Sequence, residues 1–573
     1  MKRLALVSAA SCALLLTACA TTPAPSAEDA GLRPVQSNLD TEGQSGYGQF
    51  LAGQKAQADG KDDEAAGYFA RAQALGAETG TLKQRIFQSA LFSGDVTRAA
   101  ASAPVEGEAS VMVVRLGQLT RAVEALATDD AATAKAIMID TGVGFPHRQA
   151  AVLLTPWAAA AAGEEEAALT QPALRGDRLV EVFGLLGQAQ LFERYNRLEE
   201  AEANYKTLMG FGEASAIFAP DYGAFLERRK RGAEAVAVYD TALQARPGDP
   251  GLTAARLRAA KKRKAPAMPT IREGASRALL IPASAMLADK QYQLAMAYLR
   301  LSARLDPRRE ELWLELGDVY TGLEDAENAR SAYAQVKAGS REYAAARSRL
   351  AWSLQAAGEK DKALKMAADA AAGGQRDALL TYADLLRANE RFAESDSTIT
   401  RVIAMDGDKA DWRLFYMRGI ARDRAGDWTG AEADLQKALA AQPDEPELLN
   451  YLGYAWIDRG QNLGVALEMV QRAVSANPRN GAMIDSLGWA YFRMGDYRNA
   501  VDFLERAVTL EPADPDINDH LGDAYWMVGR QIEARFQWSR ALSLDPPPAI
   551  KADAESKLKA GLPPLLPSAV AKN

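Results

Sequence analysis

Three short stretches in the carboxyl-terminal third of the chain repeat one another: NYLGY at residues 450–454, DSLGW at 485–489 and HLGDA at 520–524. Their glycines belong to one column, with members 34 or 35 residues apart, and an alanine column and a proline column keep the same spacing. The columns are Gly419, Gly453, Gly488 and Gly522; Ala438, Ala473, Ala507 and Ala541; and Pro443, Pro478, Pro512 and Pro546. Three columns with one spacing indicate a repeated structural unit.

Each unit is predicted to be a helix, a short turn and a second helix. Glycine inside a helix costs about 1 kcal/mol relative to alanine, so a recurring glycine indicates that the second helix packs against bare backbone. Large side chains such as Trp456, Tyr491 and Tyr525 are expected to fill the space beside it. The proline ends the second helix, and an acidic residue near it caps the next helix. One hairpin cannot bury its own apolar face, so neighbouring hairpins must stack.

This pattern resembles the tetratricopeptide repeat. Residues 310–343 show the resemblance well, with Trp313, Leu316, Gly317, Tyr320, Ala329 and Tyr333 at the matching positions. A further unit upstream contains Gly223, Ala235, Tyr239, Ala242 and Pro247. The resemblance implies an all-α fold, a right-handed superhelical solenoid of helix–turn–helix hairpins. We expect about a dozen hairpins from the chain length and the 34-residue period.

The amino-terminal residues look like a targeting signal. Lys2 and Arg3 precede an apolar stretch at 4–16, which is shorter than the roughly 20 residues that a membrane-spanning helix needs. The stretch ends in Leu16-Thr17-Ala18-Cys19, which resembles the bacterial lipobox. The resemblance implies cleavage before Cys19 and acylation of that cysteine, with palmitate among the acyl groups. The alternative is an ordinary secretory signal.

Outer-membrane localisation on the periplasmic face is expected, because Ala20 and Thr21 follow the cysteine and no aspartate stands there to resemble an inner-membrane retention signal. The predicted organisation of the chain has six parts. They are a signal peptide at 1–18, a lipidated cysteine and flexible tether at 19–45, divergent repeats at 46–250, an irregular helical connection and weak repeat at 251–309, the repeat array at 310–548, and a capping helix with a proline-rich tail at 549–573.

Composition and motifs argue against several functional classes. The net charge is −8, so no global basic field attracts nucleic acid. The chain has two histidines, interpreted as a loop residue (His147) and a plain helix residue (His520), and the sequence contains no P-loop, nucleophile elbow or metal-binding motif. We therefore expect no catalytic residues, no metal, no cofactor and no small-molecule substrate.

The predicted binding site is the concave surface, which the first helices of successive repeats line in this family. Helical spacing places one set of aromatic and charged residues of the last repeats on that face. The set is Asn450, Tyr454, Asp485, Trp489, Phe492, Arg493, Asp519, Asp523 and Trp526. Such a groove would hold an extended peptide or a partner helix. For Trp489 and Trp526, packing between helices in the core is an equal alternative.

Two functions fit this architecture. It resembles bacterial outer-membrane tetratricopeptide lipoproteins that act as adaptors for carboxyl-terminal processing proteases and deliver cell-wall hydrolases to them. The resemblance covers about four repeats, from residue 450 to residue 522 and their neighbours. The alternative is an assembly lipoprotein of a pilus, a secretion system or an exopolysaccharide exporter. In both, the partners are proteins, and a lipid anchor holds the chain to the membrane.

Overall fold

The computed structural model describes residue 39 and residues 43–76, 81–246 and 249–562. The predicted signal peptide, Cys19, most of the predicted tether, Pro247 and the proline-rich tail after residue 562 lie outside these ranges. The described residues form thirty α-helices, and the fold is all-α. The predicted fold class of stacked helix–turn–helix hairpins is confirmed.

The first fifteen helices run from residue 46 to residue 305. They are α1 (Gly46–Ala58), α2 (Asp62–Ala74), α3 (Leu82–Ser93), α4 (Val96–Ser102), α5 (Val111–Ala127), α6 (Ala131–Lys135), α7 (Arg148–Ala161), α8 (Glu165–Leu169), α9 (Arg178–Arg194), α10 (Leu198–Met209), α11 (Ser215–Arg228), α12 (Gly232–Ala245), α13 (Pro250–Ala260), α14 (Ile271–Ala288) and α15 (Tyr292–Leu305).

The other fifteen helices follow. They are α16 (Glu310–Gly322), α17 (Ala326–Gln335), α18 (Tyr343–Ala356), α19 (Lys360–Ala371), α20 (Arg376–Ala388), α21 (Phe392–Asp406), α22 (Trp412–Arg424), α23 (Trp428–Ala441), α24 (Pro446–Asp458), α25 (Leu463–Ala476), α26 (Gly481–Arg493), α27 (Tyr497–Leu510), α28 (Pro515–Met527), α29 (Gln531–Leu542) and α30 (Pro548–Ala560).

The chain divides into two compact units. The first consists of Met1–Phe218, Ala267–Glu315 and Gly322–Asp325, and the second of Ala219–Pro266, Leu316–Thr321 and Ala326–Asn573. Residues 267–315 thus belong to the first unit. The predicted segment boundaries stay predictions. Each unit is described separately below.

The core of the first unit is organised around the hairpin α14–α15, which packs against α3, α5, α7 and α9. In residues 251–309, where the sequence predicts an irregular helical connection and a weak repeat, the structure has α13 and the hairpin α14–α15. Small residues allow its close packing: Ser276 and Ser302 exchange hydrogen bonds to each other's carbonyl oxygens at 3.0 and 2.8 Å. Gly274 lies against the indole of Trp157.

The second unit shows the regular repeat, and its glycines make the close approach that the sequence predicts. A Cβ on Gly488 would lie 2.6 Å from Cγ of Leu504 and 3.3 Å from the carbonyl oxygen of Ala500. Both distances are shorter than ordinary contacts, so α26 and α27 can pack this closely only with glycine at that position. The neighbouring hairpins repeat the contact, with Gly522 against Trp538 in the last one.

Capping residues fix where the repeat helices begin. The side chain of Asp514 accepts a hydrogen bond of 3.1 Å from the backbone N–H of Ile517 at the start of α28, and Asn480 caps α26 in the same way. Asp427 and Asp496 cap the second helices α23 and α27. The predicted acidic capping therefore holds for α28, whereas an asparagine takes this role for α26. Side-chain caps of this kind stabilise a helix by about 1 kcal/mol each.

Candidate partner-binding groove

The first helices of three successive hairpins in the second unit, α20, α22 and α24, line a groove of about 870 Å³. We call it the inner groove. The turn before α21 and the start of that helix complete its wall. The lining residues are Arg387, Ala388, Glu390, Phe392, Ile420, Asp423, Arg424, Tyr451, Tyr454, Ala455, Asp458 and Arg459. The volume lies in the range of ordinary ligand pockets, which run from about 300 to 1,000 Å³.

Tyr454 gives the inner groove a half-buried ring with a free hydroxyl. Burial raises the pKa of Tyr454 above its ordinary value, and the nearby carboxylates of Asp485 and Asp458 raise it further. The phenol therefore keeps its proton at neutral pH. Within the described part of the chain its hydroxyl makes no hydrogen bond, so it is available as a donor to a ligand.

One wall of the groove is fixed by a network around Asp423. Its carboxylate accepts a 2.9 Å hydrogen bond from the hydroxyl of Tyr451 and forms a 2.5 Å ion pair with Arg459. The guanidinium of Arg459 also lies 4.1 Å from the ring centre of Trp428, within range of a cation–π interaction. These contacts join α22, α23 and α24, so this wall is ordered before any partner binds.

Two arginines supply accessible positive charge at the groove. Arg424 is exposed, and no ion pair holds it in the described ranges of the chain. Arg387 is also exposed, 3.4 Å from the carboxylate of Asp384 on its own helix. The pKa of Asp384 is raised, because the effect of burial exceeds the opposing effect of the nearby Arg387 guanidinium. The inner groove thus combines apolar surface from Ile420 and Phe392 with exposed charges of both signs. The cations are Arg387 and Arg424, which can bind carboxylate groups, and the exposed acidic residues are Glu390 and Asp458.

The structure separates the nine predicted groove residues into two sets. Asn450, Tyr454, Trp489, Arg493 and Trp526 are half-buried, whereas Asp485, Phe492, Asp519 and Asp523 are buried. Of the nine, Tyr454 lines the inner groove. Phe492 is 2% exposed and stacks on Trp489 with ring centres 4.7 Å apart, which makes it a core residue of the last hairpins. Arg493 donates a 2.7 Å hydrogen bond to the carbonyl of Asp458 near the carboxyl end of α24.

His520 occupies the centre of a buried ion pair and is not the plain helix residue that the sequence suggested. Its Nδ1 lies 3.0 Å from both carboxylate oxygens of Asp485, and its ring stacks on Trp489 at 4.1 Å. Burial by itself lowers the pKa of His520, but the carboxylates of Asp485, Asp519 and Asp523 overcome this effect and raise it to about 9. The imidazole is therefore protonated at neutral pH and holds α26 to α28.

Asp519 and Asp523 are covered by α30, the last helix in the described residues. Lys557 of α30 places its Nζ 2.7 Å from Asp519 and 2.8 Å from Asp523, and its side chain is 6% exposed. Trp526 lies against Gly561 at the end of the same helix. Burial raises the pKa of Asp523 to about 6, and Lys557 opposes that rise. Asp519, Asp523 and Trp526, which were predicted to contact a partner, therefore contact α30 and its carboxyl-terminal end.

Several groove residues were missed in the sequence, although the repeat spacing points to some of them. Ile420 stands 34 residues before Tyr454 and therefore at the same position of the preceding repeat. Applying the same repeat positions to the preceding hairpin would have predicted Ile420 as a groove residue. Arg387 and Arg424 have no equivalent signal, because nothing in the period shows which charged residues are exposed at the groove.

Metal binding and membrane crossing find no support in the described part of the chain. No three His, Cys, Asp or Glu side chains in those residues converge in an arrangement that would hold a metal ion. None of the described helices combines the length and the apolar character needed to cross a bilayer.

Part of the chain is similar to known tetratricopeptide-repeat proteins. Residues 268–544 match the family model described as tetratricopeptide repeat. A 90-residue stretch is 36% identical to TPR repeat-containing protein PA4667 of Pseudomonas aeruginosa. That alignment covers 16% of this chain and 15% of the relative, so the chain spans a small part of the curated protein it matches. Proteins built from this repeat typically mediate protein–protein interactions.

The matches among solved structures have TM-scores below 0.5. The Cut9–Hcn1 hetero-tetramer of the APC/C aligns over 90% of this chain and 96% of its own, at 14% identity and a TM-score of 0.38. A tetratricopeptide repeat protein from Parabacteroides merdae aligns over 44% of this chain and 97% of its own, at 16% identity and a TM-score of 0.38. MamA aligns over 30% of this chain and 94% of its own, at 24% identity and a TM-score of 0.25.

Proposed function

We propose that this chain is a tetratricopeptide-repeat scaffold that binds a segment of a partner protein in the inner groove, while a lipid on Cys19 anchors it to the periplasmic face of the outer membrane. The observation that carries the binding role is the groove itself, with its volume of about 870 Å³ and its mixed lining. Apolar side chains with a few well-placed polar groups are what peptide and helix recognition requires.

The lining suggests how a partner is held. Ile420, Phe392 and the ring of Tyr454 bury apolar side chains of the bound segment, while Arg387 and Arg424 bind its carboxylates. The network of Asp423, Tyr451 and Arg459 keeps the wall in place, which reduces the entropy lost when the partner binds. A partner segment that carries apolar residues beside charged ones fits this lining.

The anchor and the cellular location rest on the sequence Leu16-Thr17-Ala18-Cys19 and on the absence of aspartate after it. Two or more acyl chains on one residue hold a protein stably at a membrane, whereas a single chain does so only marginally. Mass spectrometry of the mature amino terminus tests this part of the proposal. An unmodified or uncleaved Cys19 would contradict it.

For the identity of the partner, we propose a carboxyl-terminal processing protease and the cell-wall hydrolases that it degrades. The support is the resemblance of residues 450–522 to adaptor lipoproteins of that kind. Affinity purification of the tagged chain from envelope extract should recover the protease and the hydrolases. Recovery of secretin or exporter subunits in their place would favour the assembly role instead.

The groove is tested by changing two of its residues together, Ile420→Asp and Tyr454→Ala. We expect at least a tenfold loss of affinity for the purified partner, because the change removes apolar contact and places an unpaired charge in the groove. Val465→Asp is the matched control, since Val465 is a 55% exposed apolar residue of the second helix α25. Undiminished binding by the double variant, with normal thermal unfolding, would exclude the groove as the binding site.

A further inference from the structure

Three large apolar side chains project from the first unit at one place. Phe145 is 78% exposed, Val111 is 63% exposed and Met112 is 55% exposed. Val111 and Met112 begin α5, and Phe145 belongs to the loop that precedes α7. The backbone of Met112 and the loop are joined through His147, so the three side chains share one region of the surface. We call these three residues the apolar tip.

Buried hydrogen bonds hold the apolar tip in position. The ring of His147 is fully buried; its Nε2 lies 3.1 Å from the carbonyl oxygen of Met112, and its Nδ1 lies 2.7 Å from the hydroxyl of Tyr298. Burial lowers the pKa of His147, so the ring is neutral at pH 7. A neutral ring that donates from Nε2 to the carbonyl accepts at Nδ1 from the Tyr298 hydroxyl.

Arg115 fixes the loop from the other side, because its guanidinium donates to the carbonyl oxygen of Phe145. The loop is therefore attached to α5 at two points and to α15 at a third. His147 lies in the turn before α7, as predicted for a loop residue, and its buried ring fastens this loop to α5 and α15. Phe145 is exposed although its backbone is held firmly, and a rigidly held, exposed aromatic ring is characteristic of an interaction surface.

The charges beside the tip favour a lipid surface as its partner. Arg148 follows His147 at the start of α7, is exposed, and has no ion-pair partner in the part of the chain that the structure describes. Together with Arg115 it places guanidinium groups next to apolar side chains. Apolar side chains bordered by arginine match the interface of a bilayer, where the acyl region lies beneath phosphate head groups.

The position of the tip in the chain supports the same partner. The first unit begins with α1 at Gly46, and 26 residues separate Cys19 from it. A segment of this length spans at most about 90 Å when fully extended. A lipid on Cys19 therefore keeps the first unit within reach of the bilayer at high effective concentration, at which a small apolar surface binds although it would not bind alone.

We propose that Val111, Met112 and Phe145 insert into the bilayer interface and orient the first unit on the membrane. The inference rests on the lipid anchor of the proposed function and adds a second, non-covalent contact to it. Insertion buries the three side chains among acyl chains, and Arg115 and Arg148 then lie at the level of the phosphates.

A photoreactive residue tests the insertion directly. The full-length lipidated chain carries p-benzoylphenylalanine in place of Phe145 and is reconstituted into vesicles of phosphatidylethanolamine and phosphatidylglycerol. After illumination, mass spectrometry identifies the molecules joined to position 145. We expect phospholipid adducts at a yield at least fivefold higher than with the same replacement at Phe536, a 68% exposed aromatic residue of the second unit that measures random collision with vesicles.

The possible outcomes distinguish a failure of the apolar-tip proposal from a failure of the lipid-anchor proposal. Equal yields at the two positions, or cross-links from position 145 to protein and not to lipid, would overturn the proposal. A chain held on nickel-chelating lipids through an amino-terminal histidine tag repeats the measurement without acylation. If that chain gives the lipid adduct and Cys19 proves unmodified, the anchor fails and the tip stands; if it gives none, the tip fails whatever the state of Cys19.

Discussion

Two hairpins of the second unit, α24–α25 and α28–α29, have side chains at the same repeat positions that differ in their accessibility to a partner. On α24 these positions hold Asn450 and Tyr454, and Tyr454 faces the inner groove. On α28 they hold Asp519 and Asp523, both covered by Lys557 of α30. The repeat position thus determines the direction in which a side chain points. Whether the side chain is available to a partner depends on the helix that follows.

The largest effect is expected from removing the cation that covers α28. Lys557→Met leaves Asp519 and Asp523 buried without their positive partner. Breaking a buried ion pair from one side typically costs about 3–5 kcal/mol, so we expect the free energy of unfolding of α28–α30 to fall by that order. Hydrogen exchange of the backbone amides in these helices measures the loss.

The control for this variant is Lys559→Met, since Lys559 is an exposed lysine of the same helix. Its exchange pattern should match that of the unchanged chain. The loss in Lys557→Met should also be smaller at pH 5 than at pH 8, because protonated aspartates need no cation and burial already raises the pKa of Asp523 to about 6. A uniform, pH-independent loss would indicate altered packing in place of a broken ion pair.

A smaller effect is expected from raising the pH around His520. Its pKa of about 9 in the folded chain lies above the ordinary value of 6.5. The stabilisation is therefore fully present below pH 6.5 and is lost as the pH rises through 9. A difference of this size corresponds to about 3 kcal/mol at most, and we expect a loss of about 2–3 kcal/mol in the stability of α26–α28 between pH 6.5 and 10.

Hydrogen exchange or denaturant unfolding as a function of pH follows this loss, and His520→Gln should flatten the profile. The acidic groups that face His520 are Asp485 on α26 and Asp516, Asp519 and Asp523 on α28. The other histidine, His147, cannot produce the effect, because burial lowers its pKa below this pH range. An unchanged profile in His520→Gln would contradict the assignment.

The sequence was informative where a feature recurs and uninformative where it occurs once. The glycine column predicts the close approach of Gly488 to Leu504, and the tyrosine and tryptophan positions beside it fall in or near the core. The predicted all-α hairpins follow from the same period. Each of these features repeats every 34 or 35 residues, so chance agreement is improbable and the physical reason can be read from the column.

Contacts between residues far apart in sequence could not be predicted in this way. His147 meets Tyr298 across 151 residues, and Lys557 reaches back 38 residues to Asp519. Neither contact repeats, and each joins residue types that are usually exposed on helices. Of the predicted binding set, Tyr454 lines the inner groove, and the sequence could not show that α30 covers Asp519 and Asp523. The binding role of the set stays a prediction.

The smallest effect is expected on α24, the helix of the two that lines the inner groove. The change is Tyr451→Phe. The change removes the hydroxyl that donates to Asp423 at 2.9 Å but leaves the ion pair between Asp423 and Arg459. A hydrogen bond to a charged acceptor contributes about 1.5 kcal/mol, and the remaining ion pair keeps the carboxylate satisfied, so we expect a loss of about 1 kcal/mol in the stability of α22–α24. Hydrogen exchange in these helices measures it.

Tyr497→Phe is the matched control, because the hydroxyl of Tyr497 makes no hydrogen bond within the described residues and its loss should leave the exchange unchanged. The Tyr451 variant also bears on the partner. If the network keeps the groove wall ordered before binding, partner affinity should fall severalfold although Tyr451→Phe keeps the aromatic ring, since order lost in the free chain must be regained on binding. Unchanged affinity together with the expected loss of stability would show that Tyr451 supports the fold of these hairpins and does not prepare the groove.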